Sequence, residues 1–214
     1  MKIDIWSDYI CPFCTVGERH LALALENFSG AVDVEITWRS FQLDPSAPTE
    51  PTEKAPEYLT RTKGMSAAQV EEMNSGLAER AAAIGLDYRW RDSVVANTFD
   101  AHRVGHLARA AEKGTEWDAA VKQGFFTEGR NVADHSQLKE FAATVGLDPG
   151  RVAEVLDSDE YATDVAQEIA MGRQLGVQGV PFFVFDGRLA ISGAQPVELF
   201  EQALTQAAES PAES

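Results

Sequence analysis

At the start of the chain, apolar positions recur at every second residue. Lys2, Ile3, Asp4 and Ile5 alternate polar and apolar, which predicts a short strand over residues 2–6. The period then changes. Val16, His20 and Leu23, with Leu21, Leu25 and Phe28, fall at helical spacing, so a helix follows directly. Phe28-Ser29-Gly30 ends it, with Gly30 as the expected cap. From Val32 to Trp38 the period returns to two, predicting a second strand that continues to Phe41. A strand–helix–strand unit of this kind is expected to be parallel, with a right-handed crossover.

From Asp44 the pattern is different. Asp44-Pro45-Ser46-Ala47-Pro48-Thr49-Glu50-Pro51-Thr52 reads as a proline-rich connection, and only helical patterns follow it. Ser66 caps a helix with Val70, Met73, Leu77, Ala81 and Ile84 on one face, ended by Gly85. Asn97 caps the next, through Phe99, Val104, Leu107 and Ala111, and a third carries Trp117, Val121 and Phe125. Asp134 with Gln137 resembles a capping box for Leu138, Phe141, Ala142 and Val145, ended by Gly146. Asp148-Pro149 opens a short helix through Val152, Val155 and Leu156. Ser158 begins a longer one, with Tyr161, Val165, Ile169 and Leu175 buried and Gly176 at its end.

Strands then return as Phe182–Phe185 and Arg188–Ser192, separated by Asp186-Gly187, a strong hairpin signal. Pro196 opens a last helix through Leu199, Phe200, Ala203 and Leu204, and Ala207–Ser214 reads as a frayed tail. The expectation is an α/β chain with a discontinuous strand-bearing domain, 1–44 and 157–209, and an all-helical insertion, 45–156.

Charge narrows the partners. Of 214 residues, 34 are acidic and 18 basic, a formal net charge of -16, which speaks against nucleic acid and anionic membrane surfaces. The first residues are too short an apolar run and too acidic for a signal-peptide core, and no apolar run is long enough to span a bilayer. A cytoplasmic location is expected, where a cysteine pair is usually catalytic or redox-sensing rather than structural.

The two cysteines stand in Cys11-Pro12-Phe13-Cys14, where the first strand gives way to the first helix. Pro12 suits the first helical position, where its missing N–H costs nothing. A thiol there faces unpaired backbone N–H groups and the positive end of the helix dipole, both of which favour the thiolate nucleophile. Cys14 lies one turn on, on the same face, placed to resolve a mixed disulfide. Zinc usually asks for four ligands, and the chain has no other cysteine and only four scattered histidines. A structural bridge closing so short a loop would constrain little. Redox chemistry is the preferred reading, and no metal is expected.

The order strand, C-x-x-C, helix, strand, then helix, Val180-Pro181, hairpin and helix resembles a thioredoxin fold. With the large all-helical insertion it resembles the DsbA family of thiol–disulfide oxidoreductases. Within it, the chain is similar to the FrnE-like branch, related to 2-hydroxychromene-2-carboxylate isomerases and kappa-class glutathione transferases. Ser7 through Cys14, Asn97-Thr98 with Ala101-His102, and Gly176 through Phe183 carry the likeness. The resemblance implies that Cys11 attacks, Cys14 resolves and Pro181 is the cis-proline opposite them. From sequence alone, a trans proline starting an edge strand is nearly as good a reading, and the resemblance tips it toward cis. It further implies that Pro12, Phe13, Val180 and Asn97 meet the substrate, with the backbone of Val180 offered to an extended partner.

The chain departs from the family in lacking a second cysteine pair. It also has Cys11 where the isomerases and transferases place serine, which favours redox exchange and leaves glutathione possible as co-substrate. The expectation is therefore a cytoplasmic dithiol–disulfide oxidoreductase of thiol- or disulfide-containing proteins or small molecules, needing no cofactor beyond the pair. A glutathione-dependent isomerase or transferase of a small aromatic molecule and a non-catalytic redox-sensing module are the competing readings. His102 and His106 share a helix face at a metal-capable spacing, but without a third ligand they read as packing or surface residues. Trp6, Trp38 and Trp90 read as core, and Phe13 as a surface residue of the motif.

Overall fold

The computed structural model describes residues 1–30 and 33–209. Val32, assigned above to the second strand, and tail residues 210–214 lie outside the described residues. The chain divides into two compact units, Met1–Leu43 with Thr163–Ser214, and Asp44–Ala162.

In the first unit the described strands are β1 (Lys2–Ser7), β2 (Glu35–Ser40), β3 (Phe182–Phe185) and β4 (Leu189–Ser192). They form one sheet in the order β2-β1-β3-β4. β1 pairs in parallel with β2, Ile3 opposite Ile36, and antiparallel with β3, Ile5 opposite Phe183. The helices are α1 (Pro12–Asn27), α8 (Ala162–Gln174, its first residue in the other unit) and α9 (Val197–Glu209).

Side-chain alternation sends Ile3 and Ile5 of β1 and Phe183 and Phe185 of β3 to one face. There they pack with Leu21 and Ala24 of α1 and Phe200, Ala203 and Leu204 of α9. The Phe183 and Phe200 rings meet edge to face, centroids 4.8 Å apart. Such a contact adds about 0.5–1.5 kcal/mol to the burial itself. Trp6 points to the opposite face with Phe41 and Val177. Its indole N–H donates to the Glu168 carbonyl of α8 at 3.0 Å. Gly172 lets that helix come close, since a β-carbon there would sit 2.7 Å from the indole nitrogen. Glu168 also accepts from the Ser40 N–H at 2.9 Å and from Arg39, which reaches Asp4 as well. Burial alone would lower the Arg39 pKa, but these two carboxylates outweigh it and raise it.

The second unit contains α2 (Ala55–Lys63), α3 (Ala67–Ala83), α4 (Phe99–Ala110), α5 (Gly114–Phe126), α6 (His135–Thr144) and α7 (Pro149–Leu156). Local caps set several starts. Ser66 and Gln69 form a reciprocal capping box on α3, and Asp148 accepts from the Arg151 N–H of α7. His102 is buried, and the His106 ring stacks on Tyr161; no metal-binding cluster occurs among the described residues.

Several expectations are corrected. Helix α1 ends on Phe28 in extended conformation, not on Gly30, over which the Phe28 ring lies. Strand β2 stops at Ser40. In α3 the buried place expected for Met73 goes to Asn74, whose amide donates to the Val70 carbonyl and accepts from the Tyr88 hydroxyl. Thr98, not Asn97, is the N-cap of α4; Asn97 accepts from the Phe99 N–H instead. Asp134 caps α6, but the Gln137 side chain turns away to the Asn131 N–H, so the box is not reciprocal.

Helix α8 starts at Ala162 rather than Ser158, and Leu175 beyond it is exposed. The cause is Arg103, which donates to the Val155, Ser158 and Glu160 carbonyls and holds 158–160 as a turn. That turn keeps 157–162 with the helical unit, moving the expected boundary at 157 to 163. At the other end, Ala207 is buried in α9 rather than frayed.

One phenol in the helical unit yields a pH prediction. Burial, first, and then the hydrogen bond from its hydroxyl to Asp44 push the Tyr58 pKa up to about 12, from an ordinary 10.0. The folded value lies above the unfolded one, so this stabilisation is present below pH 10 and is lost as pH rises toward 12. Tyr58→Phe should cost ~1.5–3 kcal/mol at neutral pH, the range for a hydrogen bond to a charged group. It should also remove a component near pH 12 from the ultraviolet titration of phenolate.

Candidate active site

The site is built from three short pieces of the first unit. Strand β1 runs into Asp8-Tyr9-Ile10, where the Cys11 N–H donates back to the Asp8 carbonyl at 3.0 Å. That turn makes Cys11 the N-cap of α1, in extended conformation, with Pro12 at the first helical position. Cys14 lies one turn in, its N–H donating to the Cys11 carbonyl at 3.1 Å. The two side chains are thiols, with no disulfide between them.

The second piece is the loop between α8 and β3. The Val180-Pro181 peptide is cis. The Cys11 Sγ donates to the Val180 carbonyl at 3.4 Å, across 169 residues of sequence. The third piece follows β4, where the Gly193 N–H donates to the Pro181 carbonyl at 2.8 Å. Cys11, Pro12, Phe13, Cys14, Val180 and Pro181 are thus brought together. Asn97 belongs to the helical unit, where its amide donates to the Pro45 carbonyl at 2.9 Å and accepts from Phe99.

A redox pair at the start of a helix is expected to expose its two sulfurs side by side, and the structure corrects this, while Phe13 lies at the surface as expected. Cys11 is 3% exposed and Cys14 fully buried, while Phe13 between them is 42% exposed. The Cys11 side chain turns onto the Val180 carbonyl, 169 residues along the chain, instead of outward.

Sequence reading gave no part to three residues that shape the site. Asp8 is fully buried; its carboxylate accepts from the Leu43 N–H at 2.7 Å, pinning the end of β2 to the cysteine turn. Gly17 lets the Pro181 loop approach α1. His20 Nδ1 donates to the Gln195 carbonyl at 2.6 Å. Gly17 shows in the sequence as an isolated glycine inside a helical pattern, and Asp8 stands in the Ser7–Cys14 stretch that carries the family likeness.

Comparison with known proteins identifies the family and the fold. Residues 2–205 match the DSBA-like thioredoxin domain. An uncharacterized protein of Bacillus subtilis, YwbO, is 28% identical over 210 residues, 96% of each chain. The crystal structure of a probable DsbA oxidoreductase from Streptomyces coelicolor is 40% identical, with a TM-score of 0.94 over 100% of this chain and 92% of that one. The cytosolic disulfide reductase DsbM of Pseudomonas aeruginosa, solved also with GSH, shares the fold at 19% identity and a TM-score of 0.63, covering 98% of this chain and all of DsbM. With a family model matched from residue 2 to residue 205 and the fold shared over the whole chain, the chain belongs to the DsbA-like thioredoxin domain family.

Proposed function

We propose that the protein is a cytoplasmic dithiol–disulfide oxidoreductase working through Cys11 and Cys14. One observation carries the reading: Cys11 caps α1 with its sulfur on the Val180 carbonyl, and Cys14 stands one turn behind it. In the reducing direction the Cys11 thiolate attacks one sulfur of a substrate disulfide. The substrate S–S bond breaks, a Cys11–substrate bond forms, and the departing thiolate takes up a proton. Cys14, giving up its own proton, then attacks the Cys11 sulfur and releases the second substrate thiolate. Two electrons pass to the substrate, leaving a Cys11–Cys14 disulfide. Two glutathione thiols return it to the dithiol and leave as glutathione disulfide. The oxidising direction runs the same steps backwards.

Pro12 starts the helix, Phe13 offers an exposed apolar contact, and the Val180-Pro181 backbone receives an extended polypeptide partner. The pair itself carries the electrons, so no further cofactor or metal takes part. The partner is a disulfide- or thiol-bearing protein or small molecule rather than nucleic acid or an anionic membrane, in keeping with the net charge of -16. DsbM, of similar fold, is cytosolic, which supports the location; no described helix is long and apolar enough to cross a membrane.

Reduction of insulin disulfides with glutathione tests the reading. The wild type should exceed the uncatalysed rate clearly, and Cys11→Ser should return it to that baseline. A wild type no faster than glutathione alone would refute the reading.

A further inference from the structure

We infer that Gly17 is a positioning residue, whose missing side chain sets how closely the Val180 carbonyl covers the Cys11 sulfur. The inference rests on the reading of the site as a disulfide-exchange centre. Gly17 sits inside α1, on the face of Cys14 and one turn beyond it. A glycine in a helix interior is unfavourable relative to alanine, so it needs a local reason. Here the reason is contact. A β-carbon at Gly17 would lie 2.9 Å from the Pro181 ring, 3.2 Å from the Phe183 ring and 3.3 Å from the Ala194 backbone. The dithiol helix therefore meets the loop with bare backbone, and an added methyl must push that loop away.

Two hydrogen bonds tie the same pieces together. The Pro181 carbonyl accepts from Gly193, and two residues on the Gln195 carbonyl accepts from His20 Nδ1, three residues past Gly17 on α1. The path from Cys11 through Val180, Pro181, Gly193 and Gln195 back to α1 is closed. Gly17 sets the gap across it and His20 holds it shut. Cys11, at 3% exposure, is covered as a result.

Alkylation of Cys11 by iodoacetamide reads the cover directly and needs no turnover. Gly17→Ala should raise that rate by about threefold or more, since reactivity follows access to the sulfur. It should lower kcat/KM for insulin by about tenfold, mainly through KM, as expected for lost partner binding. Gly76→Ala is the control: this glycine also lies inside a helix, with nothing within 4 Å of an added β-carbon. It should leave both readouts unchanged. If Gly17→Ala does not fold, His20→Phe removes the tie alone and should raise alkylation, while His20→Asn, which keeps a donor, should restore it. Unchanged alkylation in Gly17→Ala, or in His20→Phe, overturns the positioning role. Raised alkylation alongside a wild type that does not reduce insulin would instead sustain the positioning role and sink the redox reading.

Discussion

Cys14→Ser should lose insulin turnover by about a thousandfold or more while still completing the first bond exchange, because a chemical step made by one group does not survive its removal. The first attack uses only the Cys11 sulfur. The second needs a sulfur already within reach, and Cys14, buried one turn along α1, is the only other cysteine in the chain. Serine has nearly the same shape but no thiolate, so with glutathione left out the mixed disulfide on Cys11 should persist. A non-reducing gel or intact mass should show one substrate chain attached to Cys11 and released by dithiothreitol. Turnover above about a tenth of the wild-type rate would remove Cys14 from the resolving role. Small-molecule conversion with glutathione that survives Cys14→Ser would favour a glutathione-dependent isomerase instead.

The second large effect lies in the helical unit. Lys122 and Asp118 sit four residues apart on α5, with side chains 3% and 8% exposed and Nζ 2.7 Å from the nearer carboxylate oxygen. Breaking such a pair leaves a charge in a poorly polarisable interior. Asp118→Ala should therefore cost about 3–5 kcal/mol. Replacing both, as Asp118→Leu with Lys122→Met, removes the stranded charge and should be neutral or stabilising by about 1–4 kcal/mol. Urea denaturation of the three proteins checks both. A cost below about 1 kcal/mol for Asp118→Ala would mean that the lysine reaches water when its partner is gone.

That pair also marks where reading the chain runs out. Trp117, Val121 and Phe125 announce α5 by their spacing, but nothing in the spacing says that the neighbouring Asp118 and Lys122 are buried as well. Strand β1 was legible because its alternation coincides with the two faces of the sheet, and β3 because a continuous apolar run, packed on both faces, meets the Asp-Gly turn. The Asp186-Gly187 turn was legible because both residues take positive φ. Local caps were legible where the partner lies within three residues, as with Ser66 and Gln69. They failed where a distant group competes, as Asn131 does for Gln137. The cysteine pair stood out from spacing and context. The cover over it did not, because it comes from Val180, Gly193 and Gln195, far along the chain.

That long reach matters while the protein is being made. Cys11 leaves the ribosome 169 residues ahead of Val180, roughly 10–30 s earlier at ordinary elongation rates. During that interval β1 can pair with β2, but its other edge, which later takes β3, stays open. The nascent polypeptide therefore carries a bare strand edge and two uncovered sulfurs together, and a reducing surrounding keeps those sulfurs from bonding to a neighbour before the last sixth of the chain arrives.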